Sequence, residues 1–437
     1  MTMTGSSSIL LSISFALLAG LLLSRVAKLV ELPAVTAYLI AGVIIGPCCI
    51  GKLGIDGIGI TASQIGGLGI LSDVALGFIA FAMGNEFRLS QLKKIGKQAT
   101  VVGILQAVLT TITVDAFLIG LHFLMPNEFS ISAAIVLGAI ATATAPAATL
   151  MVVRQYKAKG KLTDILLPVV AIDDAVGLMV FAISFGIARS LSVGGASIVS
   201  IILEPVLEIV FSLSLGFIMG LLFTYCERFF HSRSKRMAVS VTFVMMTVAL
   251  SSISFSIGGV HVAFSSLLSC MMLGTVFCNI CDFSEELMAR ADRWTAPILI
   301  LFFVISGANL DLTILSKRSV VIIGIVYILS RSIGKYLGAR FSSQISNCDQ
   351  SIVKWLGITL LPQAGVALGM ARSAASLGAE GLVVESITLF AVLIYEIIGP
   401  SLTKMALTKA GDIKPHEKVS AREEARIALA ENAEIKH

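Results

Sequence analysis

An all-α polytopic membrane protein with about thirteen transmembrane helices is the fold class this sequence predicts, and three observations lead to it. Of its 437 residues 56% are hydrophobic and only 14% are charged, against about 25% charged in soluble domains. Mean hydropathy is +0.94, the value of a chain whose solvent is largely lipid rather than water. Apolar runs recur as far as about residue 407, most of them near the roughly 20 residues that a membrane helix needs.

In chain order the runs are about 8–27, 34–50, 65–86, 99–121, 130–152, 163–188, 198–225, 237–257, 261–279, 294–310, 319–340, 351–373 and 384–407. Loops after odd-numbered runs hold the basic clusters Arg88, Lys93, Lys94 and Lys97; Arg154, Lys157, Lys159 and Lys161; and Arg228, Arg233, Lys235 and Arg236. After even-numbered runs Lys52, Arg189, Lys317, Arg318 and Arg372 are scattered singly or in pairs. Basic loops stay on the cytoplasmic side, so the N-terminus is expected outside and the C-terminus in the cytoplasm of a cell membrane. The net charge of +5 is spread through these loops; it reports orientation and gives no sign of a nucleic-acid partner. The first apolar run is long and lacks a basic stretch before it, so it reads as a retained helix rather than a cleaved signal.

Chemistry concentrates in the sixth run, Thr163 to Ala188, which contains Pro168-Val-Val-Ala-Ile-Asp173-Asp174-Ala-Val-Gly177. Each aspartate at the centre of a membrane helix costs about 2.5–3.5 kcal/mol on insertion scales. Consecutive helical residues point about 100° apart, so one carboxylate can line a cavity while the other meets a neighbouring helix. Buried acids at membrane depth mark ion or proton sites.

Two other runs are interrupted. The fifth reads Gly138-Ala-Ile-Ala-Thr142-Ala-Thr144-Ala-Pro146, and the twelfth reads Leu360-Leu361-Pro362-Gln363-Ala364-Gly365. A mid-membrane proline beside small or polar residues frees backbone groups where a cavity can use them. The two breaks lie seven runs apart, an odd number, so they run in opposite directions, as an inverted repeat of runs one to six and eight to thirteen requires. In that repeat the carboxylate pair corresponds to Glu396 in Tyr395-Glu396-Ile-Ile-Gly-Pro400. Paired broken helices point to a transport site. The hydroxyls of Thr142 and Thr144, with freed carbonyls, are candidate oxygen ligands for a cation.

The eleventh run carries Arg331 and Lys335, one turn apart on one face. Either is a candidate partner for the aspartates; the alternative for Lys335 is to reach the cytoplasmic headgroups. Of the other acids in apolar runs, Asp73 and Asp115 are candidates for an access route, whereas Glu204, Glu208 and Glu385 are expected at the outer interface. His261 is expected to open the ninth run in a structural role. Cys278 and Cys281 stand at CxxC spacing without a second pair, which argues against a metal site. From Gly411 to His437 five Lys/Arg and six Asp/Glu alternate. That stretch is expected to be a solvated tail, with Ser420 and Glu423 as a capping box and no nucleotide-binding unit. No nucleophile–base constellation marks an enzyme, and no cofactor is implied.

Ala-Ile-Asp173-Asp174-Ala, Ala-Thr142-Ala-Thr144-Ala-Pro146, Gly334-Lys335, Pro362-Gln363-Ala364-Gly365 and Glu396-Ile-Ile-Gly-Pro400 together resemble the monovalent cation/proton antiporter superfamily. Within it the chain looks like the two-aspartate, usually electrogenic branch. The resemblance covers about residues 8–407. It implies the NhaA-like antiporter fold with two crossing broken helices, a mobile core (about 99–188 and 319–407), a scaffold (about 8–86 and 237–310), a linker span (about 198–225), and a tail from 410 to 437 after a membrane domain of 1–409. It also implies a homodimer, ion binding at Asp174, and pairing of Asp173 with a lysine at the position of Lys335, with Arg331 still open. The function expected is exchange of Na+, or of Li+ or K+, for protons across the bilayer. The rival readings are a sodium-coupled solute symporter of similar fold and a membrane ion sensor.

Overall fold

A computed structural model describes residues 5–413 except 30–33, 54–58, 93–95, 127, 146–148, 150–151, 154–155, 194–197, 258–259 and 311–316. Pro146, the loop residues Lys93, Lys94 and Arg154, and the capping box at Ser420 and Glu423 lie outside the described residues.

The described residues are nearly all helical. The helices are α1 Gly5–Leu29, α2 Ala34–Ile45, α3 Ala62–Gly84, α4 Lys97–Leu124, α5 Ile131–Ile140, α6 Lys161–Val193 and α7 Ile198–Phe229. They continue as α8 Arg233–Ser251, α9 Ser266–Ile280, α10 Ser284–Ala308, α11 Arg318–Ile345, α12 Gln350–Thr359, α13 Gly365–Ala374 and α14 Ala379–Ala410. Among the described residues nine helices are long and apolar enough to cross a membrane. The two interrupted runs supply α5 and the pair α12 and α13, while α8 and α9 answer to the eighth and ninth runs. The chain is a multi-pass membrane protein.

Ends and breaks follow local chemistry. Ser130 caps α5 by accepting from the Ala133 N–H at 3.1 Å, and Asp349 caps α12 by accepting from the Ser351 N–H at 3.1 Å. α12 stops at Thr359 because Pro362 has no N–H to continue the ladder, and α13 restarts at Gly365. One expectation is corrected here. His261 does not open a helix; it lies in a short strand, Val260–Val262, paired antiparallel with Phe255–Ile257 so that Ser256 faces His261. The β-branched valines on either side of it favour extended backbone, and the helix starts only at Ser266, capped by Ser265, whose hydroxyl accepts from Leu268 N–H.

Packing sorts the helices. α4 runs along α11 and also touches α5 and α6; α14 packs on α12, α13, α11 and α5. Separately, α2 packs between α1 and α10, and α9 between α3 and α7, while α7 also touches α6. The two repeats are tied together where α14 ends and α6 begins. Asp412, just beyond α14, accepts from the backbone N–H of Thr163 at 2.7 Å and from its hydroxyl at 2.8 Å at the start of α6.

Candidate functional site: the crossing of two broken helices

The two interrupted segments meet. The N–H of Ala145 donates to the carbonyl of Pro362 at 2.8 Å, so each break supplies a backbone group to the other. Two glycines permit this approach. A Cβ on Gly177 of α6 would stand 2.4 Å from Thr142 Oγ1, and one on Gly399 of α14 would stand 2.8 Å from Pro362 Cγ. Each glycine follows its helix's acid by three residues, Asp174 in one case and Glu396 in the other. The spacing and the contacts together give the inverted repeat a physical form, with one acid-bearing helix seated on each break.

Asp173 and Asp174 lie on α6 at this crossing and are 0% and 1% exposed. Lys335 Nζ is 2.6 Å from Asp173 Oδ2, with both side chains fully buried. The lysine also faces Thr144 Oγ1 at 3.0 Å, Gln106 Oε1 at 3.3 Å and the carbonyl of Thr142. Its three protons therefore have neutral acceptors besides the carboxylate. Thr144 donates its hydroxyl to Asp173 Oδ2 at 2.5 Å, and the Gln106 amide donates to Asp173 Oδ1. Asp174 is near enough to Lys335 to act on it electrostatically.

Arg331 lies one turn away and does different work. Its Nε donates to the carbonyl of Ala141 at 3.0 Å, Nη2 to Ala143 at 2.7 Å and Nη1 to Leu361 at 2.7 Å. All three acceptors are carbonyls freed at the two breaks, which an otherwise apolar interior must satisfy. The guanidinium also lies 4.5 Å from the centre of the Tyr395 ring. The fixed fork of donors explains why an arginine stands here: a point charge could not reach three carbonyls on two segments. Gln363 reinforces the crossing, donating to the carbonyl of Ile140 at 3.0 Å and facing the Tyr327 hydroxyl at 3.1 Å.

The site thus brings together Asp173, Asp174, Thr144, Lys335, Arg331, Pro362 and Gln363. Thr142 contributes its carbonyl; its hydroxyl donates back to Ala139 at 2.7 Å. Gln106 was not singled out from sequence, although an amide inside the apolar run of α4 is an available signal. Asp73 is exposed and interacts electrostatically with Arg372, and the Asp115 carboxylate packs against Gly138 of α5. Glu385 and Glu208 are buried against neighbouring helices, at 6% and 8% exposed. Each has a cation nearby: Arg372 lies 3.5 Å from Glu385, and Arg189 acts on Glu208.

The sodium/hydrogen exchanger family, by its transmembrane region, matches residues 13–409. The chain belongs to that family. It is a transporter of the monovalent cation/proton antiporter superfamily, and neither the symporter nor the sensor reading is favoured. The chain is similar to the Na+/H+ antiporter NhaS4 of Synechocystis, 25% identical over 80% of this chain and 84% of the relative. It is also similar to the high-affinity Na+/H+ antiporter NhaS3 of the same organism, 22% identical over 76% and 70%. Its fold matches that of the sodium proton antiporter MjNhaP1 of Methanocaldococcus jannaschii, whose structure at pH 8 superposes with a TM-score of 0.68 at 19% identity over 91% of this chain and 97% of the other.

Proposed function

We propose that this exchanger moves Na+ inward or outward against protons at Asp173 and Asp174 by the two-aspartate, electrogenic route, with Li+ and K+ as the other cations of the same charge class. The observation that carries the reading is the fully buried Lys335–Asp173 pair, 2.6 Å apart, beside Asp174 at the crossing of two broken helices. In the proton-loaded state Asp174 is protonated and Asp173 holds Lys335. When the cation arrives, Asp174 gives up its proton and Asp173 turns to the ion. Lys335 loses its counter-ion in a desolvated site, where the charged form is disfavoured, and releases a second proton. Two protons against one monovalent cation leave one net charge moved per cycle. The Thr144 hydroxyl and carbonyls of the breaks complete the oxygen shell.

Alternating access in this reading is rocking of the core, about 99–188 and 319–407, against the scaffold, about 8–86 and 237–310. The mutual packing of α4–α6 with α11–α14 supports that division. The protein sits in the cell membrane as a homodimer with its N-terminus outside and its C-terminus in the cytoplasm. The test is Na+-driven proton flux in proteoliposomes under an imposed membrane potential. Wild-type exchange should respond to the potential, Asp174→Asn should stop exchange in a folded protein, and Lys335→Gln should weaken the voltage response. Voltage-insensitive wild-type exchange refutes the Lys335 proton, and normal exchange by Asp174→Asn refutes the site.

A further inference from the structure

The second repeat holds a buried carboxylate that the site above leaves unused. Glu396 on α14 is 1% exposed, and its Oε1 has no hydrogen-bond partner among the described residues. It belongs to none of the ion pairs among those residues. Three residues on, Gly399 seats α14 against Pro362 of the second break, as Gly177 seats α6 against Thr142 of the first. Glu396 therefore occupies in the second repeat the place that Asp174 occupies in the first.

Among the described residues its surroundings lack a free counter-charge. Of the helices packed on α14, α5 has no titratable group and α2 has only Tyr38. On α11, Arg331 stacks on the neighbouring Tyr395 but spends its donors on three carbonyls, and Lys335 is held by Asp173. Lys354 of α12 is exposed and Arg372 of α13 is paired with Glu385; on α6, beside the two aspartates, Lys161 is paired with Asp349, Asp164 is exposed and Arg189 acts on Glu208. A carboxylate without cation or donor is costly to bury, so the neutral acid is the form this setting admits.

The same face of α14 offers a path. Thr388 and Thr403 lie about two turns to either side of Glu396; both are 0% exposed, and both hydroxyl oxygens lack partners among the described residues. Gln363 Oε1, in the break against which Gly399 packs, is in the same condition. Buried oxygens of this kind are the groups that ordered water bridges.

We propose that Glu396 is a second proton-binding site of the exchanger, loaded in the conformation described here and exchanging with water along the Thr388–Thr403 face of α14. The proposal rests on antiport, which the wild-type flux measurement tests by itself. Infrared difference spectra of the full-length protein in liposomes, taken across a pH series, read the protonated carboxyl directly. Glu396→Gln should remove one titrating carboxyl band and shift the pH of half-maximal Na+-driven flux by about one unit, a tenfold change in proton affinity. Asp174→Asn should remove a different band and stop the flux. Folded Glu396→Gln with every titrating band retained and a superposable pH profile overturns the proposal and leaves Glu396 a structural acid. If that variant does not fold, Glu396→Asp replaces it: its band should titrate at a displaced pH, and an undisplaced band with an unchanged flux profile overturns the proposal.

Discussion

A double-mutant cycle on Lys335 and Asp173 tests whether the site is held by one buried ion pair or by a diffuse polar network. Both side chains are 0% exposed and 2.6 Å apart. Removing one member of such a pair and stranding the other costs about 3–5 kcal/mol. Lys335→Gln leaves Asp173 with the Thr144 hydroxyl and the Gln106 amide as donors, which places its cost near 3 kcal/mol, the lower end. Asp173→Asn leaves the ammonium with only neutral acceptors at Gln106, Thr144 and Thr142, and its cost is set near 4 kcal/mol. The double variant has two amides in a neutral setting that can still bond one another and their former partners, so its cost is about 1–2 kcal/mol. The sum of the singles exceeds the double by about 5–6 kcal/mol, beyond the 0.5–3 kcal/mol usual for touching residues. Unfolding of the four purified proteins in one detergent, followed by denaturant titration, measures it. Additive losses would refute the pair as the element that holds the site, and so would a coupling of the same size between Asp173 and Arg331.

Two further outcomes follow from contacts outside that pair. Arg331→Gln should lose most folded protein on fluorescence-detected size exclusion, since three charge-assisted bonds of about 1.5–3 kcal/mol each go with it; Arg331→Lys should recover little, and a well-folded Arg331→Gln would refute the stapling role. Asp412→Ala removes the cap that binds Thr163 N–H and hydroxyl and should cost about 1 kcal/mol, seen as a lower unfolding midpoint with unchanged apparent Na+ affinity.

What could be read from sequence was what the bilayer makes expensive. Asp173, Asp174 and Lys335 stand out because charge inside an apolar run needs a reason, and Pro362 because it must break a helix. Gln106 escaped because a buried amide costs less than a buried charge and so signals more weakly, and its value depends on α4 lying against α11, from which Lys335 reaches it across 229 residues of chain. Spacing put Arg331 on the face of Lys335 but could not say which carbonyls that face would meet. Those carbonyls belong to Ala141, Ala143 and Leu361, brought together only by the crossing itself. His261 shows the opposite limit: hydropathy alone extended the ninth run over residues that pair as a strand.

The two repeats place an acid at the same distance before the glycine that seats each helix, and the exchanger's asymmetry lies in what the two cations of α11 meet. Asp173 precedes Asp174 in the first repeat as Tyr395 precedes Glu396 in the second. Asp173 takes Lys335 as a salt bridge, a bond that a competing cation can break and whose lysine can lose its proton. Tyr395 takes Arg331 against its ring, while its hydroxyl donates to the carbonyl of Ile328 at 2.7 Å and meets Ser332 Oγ at 2.9 Å. An arginine does not deprotonate in a protein, so the charge it brings to the crossing is permanent and its carbonyl contacts hold in every protonation state. Asp173 thereby takes the cation that can change, while the cation that cannot spans both breaks, bound to Ala141 and Ala143 of the first and Leu361 of the second. One of the two keeps the ends of the breaks together, and under the proposed mechanism the other yields its partner to the ion.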